Sequence, residues 1–181
     1  SSAATSQVHC NRAANSVGIY NDNITVESTH ANSGGVLFGN GGGTGTLAAT
    51  KTVTIGAGGF IAGDLTFRNF TQTGATNHTL LCTGTARITS YDANWGGDVD
   101  FRAPRMVTRG TTYNGTVYLE KTGATNDDSA GGNTFTGNTE LRNSGSARIL
   151  MGDGSADTFS GNLILNNTGC LLYTSPSPRD L

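Results

Sequence analysis

Short clusters of alternating apolar and polar residues recur along the chain and share one pattern. An aromatic residue stands two positions before a glycine, which is followed by a small polar residue and then by two apolar residues separated by one position. The clearest copies lie at 95–101, 113–119, 135–141 and 159–165, and looser copies lie at 20–26 and 61–67. A period of two residues is typical of a β-strand with one buried face. The chain is therefore predicted to form many short strands.

The four clear copies follow one another at intervals that predict a repeat of about 20 residues. Their glycines stand at 97, 115, 137 and 161, and degenerate copies with strands near 52–55 and 79–82 fill the longer gaps upstream. One such unit cannot bury its apolar face alone, whereas stacked units can. We therefore predict an all-β fold, a right-handed parallel β-helix (β-solenoid) with about 20 residues per coil. An antiparallel β-sandwich is the competing architecture.

Each position of the pattern has a predicted role. The aromatic residue stacks on its equivalent in the next coil, which contributes roughly 0.5–1.5 kcal/mol per pair. The glycine permits a turn with positive φ, and asparagines at the turns form side-chain ladders between coils. Cys82 lies in an apolar run and is predicted to be a small buried residue. His9, His30 and His78 share no spacing that indicates a metal or catalytic site, and all three are predicted to lie at the surface.

Composition supports an all-β chain and argues against two classes of partner. Glycine accounts for 27 of 181 residues and charged residues for 13%, and a chain rich in glycine, threonine and asparagine forms helices poorly. The net charge of −2 provides no electrostatic basis for binding nucleic acid. No apolar run reaches the roughly 20 residues that span a bilayer, so no membrane-spanning segment is predicted.

The pattern divides the chain into three parts. Residues 1–19 are predicted to be the N-terminal edge of a fragment and residues 20–169 the solenoid repeat array. In residues 170–181 the glycines stop and two of the three prolines occur. This tail resembles the in-frame translation of a sequencing adapter, so it is expected to be non-native. A natural proline-rich tail is the alternative.

Three runs within the clear copies carry a family resemblance, and they lie at 119–123, 132–141 and 145–149. They resemble the autotransporter-associated β-strand repeat, and similar arrays rich in glycine, threonine and asparagine occur in repetitive surface adhesins of the Bacteroidetes type. The resemblance implies a right-handed β-helix that is exported to the bacterial cell surface, in association with the outer membrane, or to the extracellular space.

The position between the two buried residues of each copy is predicted to face outward and to form a candidate binding row. It contains Asp100 and Glu140 with Tyr118 between them, so a carbohydrate would stack on the ring and bond the acids. Arg102 and Arg105 lie in a basic stretch and suit the sulfate or carboxylate of an anionic glycan. An ordinary solvated face and a charged edge that discourages aggregation are the alternatives. The other members of the row are Thr25, Thr66 and Ile164.

One acidic turn is a candidate metal site. Asp153, Ser155 and Asp157 place oxygen atoms at alternate positions, as a calcium-binding loop requires. A plain turn between strands is the alternative. No other cofactor is predicted.

The repeat array, the low charge and the lack of clustered catalytic groups favour a structural or adhesive segment of a large exported cell-surface protein. Glycans or other cell-surface components are the predicted partners, and the segment is predicted not to be an enzyme. A fragment of a β-helix carbohydrate-active enzyme, either a polysaccharide lyase or a hydrolase, is the first alternative, because parallel β-helices also house such enzymes. Their sites need clustered acids, or an arginine or lysine base with metal-bound carboxylates. A phage or virus fibre segment, which requires trimerisation, is the second.

Overall fold

The computed structural model describes residues 6–39 and 42–169, and within these residues the chain is all-β and contains no α-helix. The strands fall into three sets, each of which gathers every third strand along the chain. The first set is β1 (Gln7–Cys10), β4 (Gly35–Phe38), β7 (Asp64–Arg68), β10 (Arg87–Tyr91), β13 (Arg105–Arg109), β16 (Asp127–Asp128) and β19 (Ile149–Leu150). The second set is β2 (Val17–Tyr20), β5 (Thr44–Leu47), β8 (Phe70–Gln72), β11 (Asn94–Trp95), β14 (Thr112–Tyr113), β17 (Thr134–Phe135) and β20 (Thr158–Phe159). The third set is β3 (Ile24–Ser28), β6 (Val53–Phe60), β9 (His78–Leu81), β12 (Val99–Ala103), β15 (Val117–Lys121), β18 (Thr139–Asn143) and β21 (Leu163–Asn167).

Every pairing between these strands is parallel. The second set forms one seven-stranded sheet, and the first and third sets each form one five-stranded sheet and one two-stranded sheet. We use the word coil for three successive strands, one from each set. The predicted all-β fold with parallel sheets of many strands is confirmed and is consistent with a β-solenoid, whereas the antiparallel sandwich is excluded for the described residues. The degenerate copies near 52–55 and 79–82 are confirmed as β6 and β9.

Coil length varies along the stack. Val99 pairs with Val117 in the next coil, 18 residues on, whereas Ile24 pairs with Val53, 29 residues on. The paired strands begin at β1, upstream of residue 20, because β1 pairs with β4 and β2 pairs with β5. The segment 170–181, predicted to be non-native, lies outside the described residues.

Aromatic residues of the repeat pattern form a row inside the second sheet. Trp95, Tyr113, Phe135 and Phe159 are aligned in successive strands. The ring centroids of Tyr113 and Phe135 lie 5.0 Å apart with an interplanar angle of 5°, and those of Phe135 and Phe159 lie 4.7 Å apart at 2°. The predicted stacking between coils is confirmed for these two pairs. Cys82 is also buried as predicted, and burial raises the pKa of its thiol to about 12.

The glycines of the four clear copies have a different role from the one predicted, because none of them has a positive φ. They are required instead by the close approach of the neighbouring coil. A Cβ on Gly115 would lie 2.6 Å from the backbone nitrogen of Asp98, and a Cβ on Gly161 would lie 2.5 Å from the carbonyl oxygen of Gly137. The predicted asparagine ladders do form, as when Asn114 donates a side-chain hydrogen bond to Asn94 over 2.8 Å.

Side chains replace backbone partners at two breaks in the sheets. Between β13 and β16, the backbone N–H of Met106 donates to Asp127 over 2.9 Å and that of Thr108 donates to Ser129 over 3.0 Å. Between β6 and β9, the backbone N–H of Val53 donates to Nδ1 of His78 over 3.3 Å. The prediction that all three histidines lie at the surface is therefore wrong for His78, which is buried because its ring fills the break.

Candidate binding face on the third sheet

We call the five-stranded sheet of the third set, which runs from β9 to β21, the third sheet. Its outer surface, which we call the outer face, carries two rows of polar side chains. The first row aligns Asp100, Tyr118 and Glu140 in neighbouring strands, and Ile164 follows in β21. The predicted alignment of these four residues is confirmed. The second row aligns Arg102, Glu120 and Arg142 at positions two residues further along the same strands.

Of the two threonines of the predicted row, one lies in another set of strands and one is separated from Asp100 by a break in the sheet. Thr66 belongs to β7 in the first set, where it is aligned with Thr89, so its prediction as a member of the row that contains Asp100 is wrong. Sequence reasoning aligned the copy at 61–67 with the other copies by Gly63. In the structure Phe60 is the last residue of β6 in the third set, so the strand that follows Gly63 is β7 of the first set. Thr25 lies in β3 and is paired with Thr54, in the two-stranded sheet before the break at His78.

The aromatic ring at the centre of the outer face is held between two charged partners. The guanidinium of Arg102 donates through Nε and Nη2 to the two carboxylate oxygens of Asp100, over 2.7 and 2.8 Å. The same guanidinium carbon lies 4.6 Å from the centroid of the Tyr118 ring, a cation–π contact. The hydroxyl of Tyr118 donates to Glu120 over 3.1 Å. Asp100, Arg102 and Tyr118 therefore form one connected unit that spans two strands.

A second polar group extends this unit across the next strand. Glu120 accepts a hydrogen bond from the hydroxyl of Ser144 over 2.6 Å, and Nε of Arg142 lies 3.4 Å from the same carboxylate oxygen. The hydrogen bonds to Asp100 raise the pKa of Arg102, so it stays charged. Partial burial and the hydrogen bond to Glu120 raise the pKa of Tyr118, so it stays protonated. The part of the face around Tyr118 is thus preorganised, because Arg102, Tyr118 and Glu120 are each held by a hydrogen-bond partner.

An open cleft of about 270 Å³ lies beside this unit, between strands β9, β12 and β15. Tyr118 and Asp100 form one side of it. Asp98 lies at its edge and accepts the backbone N–H of Thr116 over 2.7 Å. The remaining lining residues are Asn77, His78, Thr79 and Val99. An aromatic ring flanked by carboxylates, hydroxyls and an amide offers both an apolar surface and hydrogen-bonding groups to a polyhydroxylated ligand.

Arg105 does not belong to the outer face, although sequence reasoning grouped it with Arg102. It lies in β13 of the first set, where Nε donates to Asp127 over 3.1 Å, and the carboxylate of Asp127 is fully buried. Pro104 stands between β12 and β13, so the two arginines belong to different sheets. Arg105 therefore does not join Arg102 on the outer face, and the binding of an anionic glycan by these two residues stays a prediction.

Part of the predicted calcium turn makes contacts within the protein. Oδ1 of Asp157 accepts the backbone and side-chain N–H groups of Asn133, each over 2.8 Å, and the backbone N–H of Ser155 donates to Ala130 over 3.1 Å. Asp153 is exposed. Within residues 6–39 and 42–169, no group of three or more histidine, cysteine, aspartate or glutamate side chains is placed to hold a metal ion. The structure thus gives Asp157 a role in the contact between neighbouring coils.

Sequence reasoning missed His78 and Glu120 as parts of this region. His78 is aligned with Val99 and Val117, which are buried positions of the repeat pattern. This alignment was the available signal that His78 is buried. Glu120 carried no such signal, because its partners come from other strands.

Comparison of the chain with protein-family models, with curated proteins and with solved structures found no match. The resemblance to the autotransporter-associated repeat therefore stays a prediction. No helix in the described part of the chain is long and apolar enough to cross a membrane.

Proposed function

We propose that this chain is a structural and adhesive segment of a large exported bacterial cell-surface protein, and that the outer face of its third sheet binds glycans. The observation that carries the proposal is the unit of Asp100, Arg102 and Tyr118, which is preorganised beside an open cleft. Sugars are bound by such combinations because an aromatic ring packs on their apolar surfaces while planar polar groups bond their hydroxyls.

The scaffold in this proposal is a right-handed β-solenoid with about 20 residues per coil. The parallel pairing of every third strand supports it, and parallel crossovers are right-handed in nearly all proteins. A stack of this kind presents aligned rows of side chains on a rigid surface, which suits repeated contact with an extended polymer. The low charge and the resemblance to surface repeats support a location at the outer membrane or outside the cell.

The charges of the outer face indicate the class of glycan. The face and its cleft carry four carboxylates, those of Asp98, Asp100, Glu120 and Glu140, against two guanidinium groups, Arg102 and Arg142. An anionic polysaccharide would meet this negative excess, which disfavours its binding. We therefore propose neutral glycans as ligands.

Isothermal titration calorimetry of the full chain tests the proposal. The probes are cellohexaose and chitohexaose as neutral glycans and a polygalacturonate hexamer as an anionic one. Replacement of Tyr118 by alanine removes the ring and is expected to weaken neutral-glycan binding about 10-fold, which corresponds to about 1.4 kcal/mol.

The matched control is Tyr91→Ala. Tyr91 also has an arginine over its ring, since the guanidinium carbon of Arg68 lies 5.6 Å from the ring centroid. Tyr91 lies in β10 of the first set, away from the outer face. Equal losses in the two variants, or preferred binding of polygalacturonate, would contradict the proposal. Release of shortened sugars during the titration would instead favour the enzyme alternative, and a stable trimer in solution would favour the fibre alternative.

A further inference from the structure

Three adjacent strands of the first set, β7, β10 and β13, carry arginines on their outward surface. In β10, Ile88 and Ser90 point into the core, where Ser90 accepts a hydrogen bond from the buried ring of Trp95. Alternation therefore turns the other residues of this strand outward. With the residues aligned to them in β7 and β13 they form three rows, and we call this surface the arginine face: Asp64, Arg87 and Arg105; Thr66, Thr89 and Val107; Arg68, Tyr91 and Arg109.

The arginines of the first row are paired with acids of the protein. Nε of Arg87 donates to Asp64 over 3.0 Å. Nε of Arg105 donates over 3.1 Å to Asp127, whose carboxylate is fully buried. Each of these guanidinium groups therefore has a carboxylate partner, and the first row offers little net charge to a ligand.

The third row differs, because its arginines have no acidic partner. Arg68 and Arg109 flank Tyr91 on the two neighbouring strands. No carboxylate of residues 6–39 and 42–169 lies within ion-pair distance of either guanidinium. Asp92, which follows Tyr91, is exposed and pairs with neither of them. The third row therefore presents two unpaired positive charges with an aromatic ring between them.

A hydroxyl in the middle row has no partner within the protein. Thr89 lies on the outward side of β10 and is only 4% exposed, yet its Oγ1 makes no hydrogen bond. Thr66 and Val107 in the same row are also buried, so the longer side chains of the first and third rows form the walls of a groove. A buried hydroxyl without a partner is unfavourable. A ligand oxygen that enters the groove would satisfy it.

The separation of the two free charges indicates the class of ligand. One strand lies between those of Arg68 and Arg109, so the two positions are roughly 9–10 Å apart across the sheet. This separation is close to the length of two sugar units in an extended polysaccharide. A chain with a carboxylate on every second sugar would place one carboxylate at each arginine and a neutral sugar at Tyr91. In a chain charged on every sugar, the middle carboxylate would meet Tyr91, which offers no positive charge.

We propose that the arginine face binds an acidic polysaccharide whose carboxylates stand on alternate sugars, with Arg68 and Arg109 as its anion-binding residues. A guanidinium group matches the two oxygens of a carboxylate. Tyr91 packs on the neutral sugar between them, and Thr89 bonds a sugar oxygen. This inference goes beyond the proposed function, because it concerns a different sheet and a different class of glycan.

Isothermal titration calorimetry of the full chain tests this site. The probes are a hyaluronan hexasaccharide, which has a carboxylate on every second sugar, and chitohexaose as a neutral chain of the same length. Arg68→Gln and Arg109→Gln should each weaken hyaluronan binding about 10-fold, because each removes one charge-assisted contact. The matched control is Arg142→Gln, which removes an arginine of the outer face and should leave hyaluronan binding unchanged. Thr89→Val should weaken hyaluronan binding without lowering the urea midpoint of the free protein, because the hydroxyl has no partner there.

Tyr118→Ala separates this site from the outer face, because it should leave hyaluronan binding unchanged. Three results would overturn the inference: no hyaluronan binding up to about 1 mM, the weakest range of measured affinities; an equal loss in Arg142→Gln; or loss of hyaluronan binding in Tyr118→Ala. Chitohexaose binding that does not respond to Tyr118→Ala would instead count against the proposed function, and it would leave the hyaluronan result standing.

Discussion

Acidification is expected to destabilise this protein through His78. Its ring is buried, its Nδ1 accepts the backbone N–H of Val53, and its centroid lies 5.0 Å from that of Trp95. Because Nδ1 is the acceptor, the proton of the neutral ring is carried by Nε2. Burial lowers the pKa of His78 from 6.5 to about 4.

The direction of this pH effect follows from the number of protons that the folded and unfolded chains bind. Between pH 6.5 and 4 the unfolded chain carries a proton on His78 that the folded chain does not, so the unfolded state is favoured as the pH falls. Above about pH 7 His78 contributes no pH dependence to the free energy of unfolding. The loss by pH 4 is at most about 3 kcal/mol, since each pKa unit corresponds to about 1.4 kcal/mol.

Urea denaturation at pH 7, 6, 5 and 4 measures this loss, and His78→Gln separates it from the titration of carboxylates. Glutamine does not titrate, and its amide oxygen is an acceptor that suits the N–H of Val53. The variant is expected to lose about 1 kcal/mol or more at pH 7, because the contact with Trp95 is removed. Its stability should then change less than that of the parent protein between pH 6.5 and 4. Equal pH dependence in the two proteins would show that the reasoning about His78 is wrong.

Three further substitutions test the contacts between coils, each by chemical denaturation. Phe135→Ala should cost about 4–5 kcal/mol, because the ring is buried and stacked on both sides, whereas Phe159→Ala, which has one stacked partner among the described residues, should cost less than half as much. Gly115→Ala should cost about 1–3 kcal/mol through the clash with the preceding coil, and no loss would contradict that role. Asp127→Ala leaves the backbone N–H of Met106 without its acceptor and should cost about 3 kcal/mol, with a clearly smaller loss in Asp127→Asn.

Local patterning predicted the rows that lie within well-matched copies. Asp100, Tyr118 and Glu140 were placed correctly because the copies at 95–101, 113–119 and 135–141 share one spacing from the aromatic residue to the strand. The same spacing predicted the stacked pair Tyr113 and Phe135. Where the repeat length is regular, the aromatic residue before each turn and the strand residues after it fall at equivalent positions in every coil.

Tertiary structure decided the features that depend on which strands become neighbours. Thr66 and Arg105 were misplaced because coils of unequal length, and the corner at Pro104, moved their strands to the first set. The contacts of Glu120 arise from partners in other coils, with no local signal in the chain, whereas the burial of His78 was signalled only by its position in the repeat. The alternation of apolar and polar residues by itself determined the buried face of strands such as β9 and β12. The pairing of coils decided which side chains meet, because a period of two residues specifies a face and not a neighbour.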